Sequence, residues 1–164
     1  MKRVDKRILV AALREQIARE IEAMKRAARD AAEAATHEEA KPENDKDTRG
    51  LEASYLARGQ AERVRELERD HNALQFLALR DLGEGEAIRL GALVEVSAEE
   101  AEVSSLYFIS PAGGGMRAKA SGADVLVVTP QSPLGQALVG KSVGDVVQIR
   151  ARAGARELEI VDVR

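Results

Sequence analysis

Acidic side chains cluster between residues 38 and 52, where the sequence shows no helical or strand periodicity. Carboxylates are hard oxygen ligands that suit Mg²⁺, and one or two of them typically hold an ion that keeps most of its waters. Asp45 and Asp47 lie nearest the point of chain reversal and converge on one metal if the turn curls. Glu52 can join them from the next helix, or merely stabilise that helix through its dipole. The alternative to a metal-binding tip is a solvated acidic loop.

Other reagents for catalysis are scarce. The chain has no cysteine and only two histidines, His37 and His71, which excludes disulfides, thiolate chemistry and a His-rich metal site. We interpret His71 as a packed helix residue and His37 as a solvated turn residue. The run Gly113–Gly115 is not a phosphate loop, because no Lys-Ser/Thr pair or helix start follows it. Most enzyme classes are thereby excluded.

Two long helices must position the acidic segment. Residues 5–35 contain no Gly or Pro, and apolar residues recur there at spacings of three and four, which predicts a helix with one apolar stripe. A second helix is predicted from Leu51 to about Arg80, with Gly59 in its interior. The segment between them contains Pro42 and Gly50, which favour a turn. Residues 1–81 are therefore predicted to form an antiparallel helical hairpin with an acidic tip at 36–50.

The first arm is basic, with nine basic and five acidic side chains between residues 2 and 30. Such a surface attracts phosphates or acidic protein walls in a salt-dependent way. Mixed charges on a helix are otherwise a solvated face with intrahelical pairs, as we expect for Arg63, Arg65 and Arg69. The candidate contact residues on the basic arm are Arg14, Arg19, Lys25, Arg26 and Arg29.

Residues 82–164 change to the period of strands, punctuated by Gly and Pro. Ser132 as N-cap, Pro133 at the first helical position and Gly140 after the end predict one short helix. The fold class is therefore α+β: an N-terminal helical hairpin, then a domain of antiparallel strands covered by one short helix. The predicted strands are Leu93–Val96, Ser105–Ile109, Val125–Thr129, Val146–Arg150 and Leu158–Val163.

Two stretches resemble the Gre-type (GreA/GreB) bacterial transcript-cleavage factors. One is Ser132-Pro-Leu-Gly-Gln-Ala-Leu-Val-Gly-Lys-Ser-Val-Gly-Asp-Val-Val147, followed by a closing strand at Arg156–Val163. The other, Leu51-Glu-Ala-Ser-Tyr-Leu-Ala-Arg58, opens the second arm. The resemblance covers nearly the whole chain and implies a coiled coil followed by an FKBP-like domain.

In that family the globular domain sits at the rim of the RNA polymerase secondary channel, and the coiled coil passes down the channel. Tip carboxylates then help the polymerase's own active site to hydrolyse backtracked RNA. The resemblance implies an accessory factor rather than an enzyme, with bacterial RNA polymerase and the nascent RNA 3′ end as partners and Mg²⁺ shared with the polymerase. Our candidates for this chemistry are Asp45, Asp47 and Glu52, the acids nearest the chain reversal, with Asp45 and Asp47 as metal ligands. The resemblance places docking at Ser132, Pro133 and Leu134.

The chemistry is also where this sequence departs from the family. Cleavage-competent members carry an Asp and a Glu three positions apart shortly before a tyrosine of the second arm. Alignment on Tyr55 finds no such pair in Glu43-Asn-Asp-Lys-Asp-Thr-Arg-Gly-Leu-Glu-Ala-Ser-Tyr55. An alternative therefore keeps the binding mode without cleavage, so that the acidic tip chelates or displaces catalytic Mg²⁺ and inhibits the polymerase.

Two further alternatives belong to other classes. A peptidyl-prolyl isomerase or chaperone would need an aromatic-lined apolar cavity, and residues 81–164 offer only Tyr107 and Phe108. An oligomerisation module is the structural alternative, but an alanine-rich seam favours a slim intramolecular pair, so we expect a monomer. The apolar runs fall far short of the roughly 20 residues needed to span a bilayer. We therefore expect a cytoplasmic protein.

Overall fold

Two long helices precede a six-stranded sheet in a computed structural model of the chain, which describes residues 4–36, 49–83, 85–98, 104–151 and 154–164. Its contacts divide the chain into two units. The hairpin unit is Glu15–Asn72, and the sheet unit joins Met1–Arg14 to Ala73–Arg164. The domain boundary that we placed between residues 81 and 82 stays a prediction.

Helix α1 spans Lys6–Thr36, within one residue of its predicted ends. Asp5 caps it, because its Oδ1 atom accepts hydrogen bonds from the backbone nitrogens of Arg7 at 2.8 Å and Ile8 at 3.4 Å. These first-turn N–H groups have no partner within the helix, so an acceptor side chain at this position stabilises the helix start.

The apolar stripe of α1 is buried only over its first half. Ile17 and Ile21 are buried, Met24 is half-buried, and Ala28 and Ala31 are exposed. Beyond Met24 the stripe consists of alanines and is exposed at Ala28 and Ala31. Alanine buries little area, so the far half of the stripe gains little from close packing.

Helix α2 spans Arg49–Gln75 and ends five residues before the predicted Arg80. The buried Lys6 amine donates a hydrogen bond to the carbonyl oxygen of Arg80, and its Nζ lies 3.5 Å from Asp81 Oδ1. A buried ammonium needs such partners. The segment that follows α2 is thus tied to the first turn of α1 by a contact that local sequence does not contain.

The sheet unit contains the strands and one short helix. The strand order is β3-β4-β2-β1-β6-β5. The elements are β1 Leu93–Ser97, β2 Ser105–Ile109, β3 Arg117–Ala120, β4 Ala123–Val128, α3 Pro133–Leu138, β5 Val146–Ala151 and β6 Gly154–Val163. The predicted α+β class, with a helical hairpin followed by a sheet and one short helix, is confirmed.

Two details of the sheet differ from the prediction. Strands β2 and β4 pair in parallel, whereas the other pairs are antiparallel as expected. The chain returns to β4 through β3, which the sequence analysis missed. The sequence of β3, Arg-Ala-Lys-Ala, contains no β-branched or aromatic residue, so its strand propensity is low. Its two alanines are nevertheless buried, and this burial holds it in the sheet.

Helix α3 begins as predicted at its cap. Ser132 Oγ accepts a hydrogen bond from the backbone nitrogen of Gly135 at 3.1 Å and donates one to the carbonyl oxygen of Thr129 at 2.7 Å. A Cβ atom on Gly135 would lie 2.0 Å from that same oxygen, so only glycine fits. Leu138 of α3 joins the buried cluster beneath it, whose other members are Ile88, Ala92, Val94, Val96, Ile109, Val128, Val147, Leu158 and Ile160.

Across the described ranges, neither long helix nor α3 is both long and apolar enough to cross a membrane.

Candidate functional site

The acidic tip is the first part of the candidate site. Glu52 lies in the first turn of α2 and is exposed, as predicted. Asp45, Asp47 and His37 lie outside the described residues, so their roles stay predictions. Among the residues that the structure describes, no group of three His, Cys, Asp or Glu side chains could hold a metal ion.

Two cations of the basic arm are available to a partner. Arg26 and Arg29 are exposed, and neither makes an ion pair with another described residue. Lys25 differs, because its Nζ donates a 2.7 Å hydrogen bond to Glu68 Oε1 on the other arm. This hydrogen bond raises the pKa of the Lys25 amine. The three neighbouring basic residues thus divide into two free cations and one cross-helix link.

The other two predicted contact residues are engaged within the protein. Arg14 is half-buried, and its Nη2 donates to Gln75 Oε1 at 3.2 Å. Arg14 Nε is buried and has no hydrogen-bond partner among the described residues. Arg19 is exposed, and its Nη1 lies 3.7 Å from Glu15 Oε1 on the preceding turn. Arg14 is therefore poorly placed to meet a phosphate, whereas Arg19 can do so by releasing a weak surface pair.

The second arm carries the intrahelical pairs that we predicted. Glu62 accepts from Arg65 at 3.3 Å and from Arg69 at 3.2 Å. Arg63 bonds Glu66 at 3.3 Å and also Glu20 of the first arm at 3.3 Å. The hydrogen bond to Glu66 and the one to Glu20 raise the pKa of the Arg63 guanidinium. His71, predicted to be packed, is half-buried.

A cavity of about 670 Å³ lies between the far parts of the two arms. Alanines of both helices line it, together with Met24, Leu56 and Val64. Leu56 is 65% exposed, so the arms leave apolar surface open at this level. The far half of the hairpin is therefore held together by little apolar burial.

The predicted docking residues surround the start of α3. Ser132 serves as its cap, Leu134 is half-buried against the core cluster, and Pro133 is exposed. Sequence reasoning missed two exposed apolar neighbours, Leu90 and Val139. Backbone hydrogen bonds between Ile88 and residues 140 and 141 bring their two segments together. Leu90 and Val139 could have been noticed in the sequence as apolar residues that lie outside the predicted strands and helix.

The isomerase alternative finds no support in the sheet unit. Phe108 is fully buried, and Tyr107 lines a cavity together with Arg117 and Asp124. Neither the cavity at Leu82 and Val161 nor the one at Tyr107 is the aromatic-lined apolar pocket which that alternative requires.

Comparisons with known proteins identify relatives of this chain. Residues 84–164 match the family described as "Transcription elongation factor, GreA/GreB, C-term". The chain is 32% identical over 102 residues to the transcription elongation factor GreA of Rhodospirillum rubrum, a match that covers 62% of this chain and 60% of that relative. It is 32% identical over 123 residues to the transcription inhibitor protein Gfh1 of Thermus thermophilus, with 73% of each chain covered.

A solved structure of GreA factor homolog 1 (Gfh1) from Thermus thermophilus is also similar. The likeness covers 93% of this chain and 95% of the other, at 25% identity and a TM-score of 0.41. The match to Gfh1 spans more than two thirds of both sequences at more than 30% identity. The chain belongs to the GreA/GreB family of transcription factors. The match to the GreA relative spans less than two thirds of that protein, and the relatives include both an elongation factor and an inhibitor.

Proposed function

We propose that this protein is a secondary-channel factor of bacterial RNA polymerase whose acidic tip acts at the polymerase active site. The sheet unit docks at the channel rim, and the hairpin unit carries the tip toward the RNA 3′ end. In the leading form of the proposal, the tip promotes hydrolysis of backtracked RNA and rescues stalled complexes. The observation that carries it is a family match in a chain whose two long helices flank an acidic segment.

The dimensions and charges of the hairpin support this function. Helix α1 has 31 residues, and at 1.5 Å per residue it is about 46 Å long. Its part within the hairpin unit, Glu15–Thr36, is about 33 Å long, and a slender two-helix hairpin suits a narrow pore. The free cations Arg26 and Arg29 can attract RNA phosphates or acidic channel walls. The chain itself is thus an accessory factor, and the polymerase performs the bond cleavage.

The tip residues suit a magnesium ion by their chemistry. Glu52 offers an exposed carboxylate with no ion pair among the described residues, and Asp45 and Asp47 are of the same donor type. Mg²⁺ held at these carboxylates and at the polymerase active site would activate a water or stabilise the leaving oxygen. The contribution of this chain is to deliver negative charge and hard oxygen donors, and the helix dipole favours an anion at Glu52.

Inhibition is the second candidate activity, and two observations favour it. The acids before Tyr55 lack the Asp and Glu pair expected of a cleavage factor. The match to an inhibitor covers 73% of this chain, whereas the match to the elongation factor covers 62%. In this form the same carboxylates chelate or displace the catalytic ion and thereby slow RNA extension.

The test uses halted, backtracked complexes whose RNA carries a 5′ label. The full chain is compared with the double variant Asp45→Asn and Asp47→Asn, which keeps side-chain size and removes charge. Binding should persist, while cleavage at saturating factor should fall by orders of magnitude, because a lost metal contribution acts on the transition state. Raising Mg²⁺ should partly restore the rate by mass action. The matched control is Asp30→Asn with Asp70→Asn, which makes the same change on the two helices and should cleave normally.

Each outcome decides between the forms of the proposal. Equal cleavage by wild type and double variant would remove these aspartates from the site. If neither protein cleaves and wild type slows RNA extension while the variant does not, the inhibitory form replaces the cleavage form. A wild-type protein that does not bind polymerase would overturn both.

A second experiment tests the basic arm. Arg26→Glu with Arg29→Glu should slow association with the transcription complex by about tenfold at low salt and flatten the salt dependence of the rate. The control, Arg65→Glu with Arg69→Glu, makes the same charge change at residues that already pair with Glu62. Stopped-flow association across a salt series measures both. Equal effects of the two variants would mean that only net charge matters.

A further inference from the structure

A cavity of about 460 Å³ lies on the face of the sheet formed by β2, β4 and β3. The strand register places Tyr107 opposite Leu126, and Leu126 opposite Arg117. Side chains two positions apart on a strand share a face, so Ser105 and Asp124 form the next row. This cavity belongs to the sheet unit and includes none of the residues assigned to the tip or the basic arm.

Tyr107 provides a fixed aromatic surface in this cavity. It is half-buried and packs against the core cluster beneath α3. Its hydroxyl group makes no hydrogen bond to another described residue. A ring held on one side by the core and open on the other suits a planar group that stacks on it.

Arg117 provides a free cation at the same level of the sheet. It is exposed, and its guanidinium makes no ion pair or hydrogen bond to another described residue. Lys119, two positions along the strand, instead lies 3.9 Å from Asp124 Oδ1. A guanidinium presents parallel N–H donors that bind a phosphate with two hydrogen bonds. The lining thus carries the Arg117 guanidinium and the Asp124 carboxylate, and the guanidinium, which has no charged partner among the described residues, lies across Leu126 from Tyr107.

We propose that this cavity binds a mononucleotide, with the base against Tyr107 and the phosphate on Arg117. Its volume lies within the range of small-ligand sites, about 300–1,000 Å³. The hydroxyl groups of Ser104 and Ser105 lie in the lining and offer hydrogen bonds to the sugar or the base. Asp124 limits the negative charge that the site accepts, which favours a monophosphate over a triphosphate. The proposal stands apart from the channel function and does not depend on it.

The test titrates AMP into the full chain and follows the tyrosine ring protons by NMR. The chain has two tyrosines, so Tyr55→Phe leaves Tyr107 as the only signal of its kind. Tyr55 is exposed, and the change should leave the fold intact. AMP should shift the Tyr107 ring protons with half-saturation at or below about 1 mM. Adenosine should bind at least about tenfold more weakly, because it lacks the charge-assisted bonds to Arg117. Inorganic phosphate should displace AMP without itself shifting the ring protons.

The variant Arg117→Gln should lower the affinity for AMP by about tenfold or more. Its matched control is Arg156→Gln, the same neutralisation at another exposed strand position, which should bind AMP as wild type does. Circular dichroism checks that both variants fold. Absence of AMP binding at several times 1 mM, equal affinity for AMP and adenosine, or equal loss in the two variants would each overturn the proposal.

Discussion

The two halves of the hairpin unit are built from the same helices but are held together differently. In the near half, which includes α1 up to Met24, Ile17, Ile21 and Leu67 are buried. In the far half, Ala28 and Ala31 are exposed, and a cavity of about 670 Å³ separates the arms. Burial of large apolar side chains dominates the free energy of folding, so the near half supplies most of the stability of this unit.

This difference indicates that the far half of the hairpin, which is less fixed by packing, is the part available to a partner. The small alanine side chains on the facing sides of the two arms keep the hairpin narrow, as a probe inside a channel requires. The far half gives up the burial that would fix its geometry. The ion pairs Lys25–Glu68 and Arg63–Glu20 join the arms beside Ile21 and Leu67, in the near half, and add only modest stability there. The near half of the two helices therefore provides most of the stability, and the far half provides the narrow end of the hairpin.

The largest effect should separate two identical substitutions on α2. Leu67→Ala removes a side chain that is 3% exposed, so it should lower the free energy of unfolding by about 3 kcal/mol through lost burial and a cavity. Leu56→Ala removes one that is 65% exposed and should change it by less than about 0.5 kcal/mol. Urea unfolding followed by the helical circular dichroism signal measures both. Equal losses would mean that the far seam closes in solution and that the comparison fails.

A second pair of substitutions extends the comparison to the sheet unit. Gly135→Ala would bring Cβ to 2.0 Å from a backbone oxygen that cannot easily move, and should lower stability by about 3 kcal/mol. Gly59→Ala meets no atom within 4 Å in the interior of α2, and should raise stability by about 1 kcal/mol. Thermal unfolding of the two variants gives the signs directly. A loss at Gly59 would show that another structure contacts this face of the helix.

The smallest effect concerns pH. The backbone nitrogen of Gly83 donates a 2.6 Å hydrogen bond to Glu86 Oε2, which lowers the pKa of that carboxyl group, with help from Arg89. A lowered pKa gives stability that is present above the ordinary value of 4.5 and is lost as pH falls through the lowered value. Wild type should therefore unfold at a higher temperature than Glu86→Gln at pH 7, and the gap should close toward pH 2. A gap that is constant over this range would contradict the assignment.

Local signals predicted much of the fold. The ends of α1 were predicted to within one residue from the absence of Gly and Pro between residues 5 and 35. The start of α3 was predicted from Ser132 followed by Pro133, because caps and prolines act through their immediate neighbours. The early end of α2 was not predicted, and the segment after it makes a contact with Lys6, more than 70 positions away in sequence. Strand β3 escaped for a similar reason, because the buried alanines that hold it in place carry no strand signal of their own.

The candidate site was less accessible to sequence reasoning than the fold. The excess of basic residues identified a basic arm in the sequence. Only the three-dimensional structure distinguishes Arg14 and Lys25, which bond within the protein, from Arg26 and Arg29, which have no ion pair with another described residue. The sequence of a helix looks the same whether or not a glutamate of the other arm pairs with one of its basic side chains. The acids of the tip remain known by composition and spacing alone.

Strand β6 lies between β1 and β5, and it begins 57 positions after β1 ends. During synthesis at about 5–20 residues per second, β1 therefore waits roughly 3–11 s for its neighbour to be made. For that time its free edge is a template for pairing with other chains. We therefore expect variants that slow translation between β1 and β6 to aggregate more readily during synthesis while leaving the mature fold unchanged.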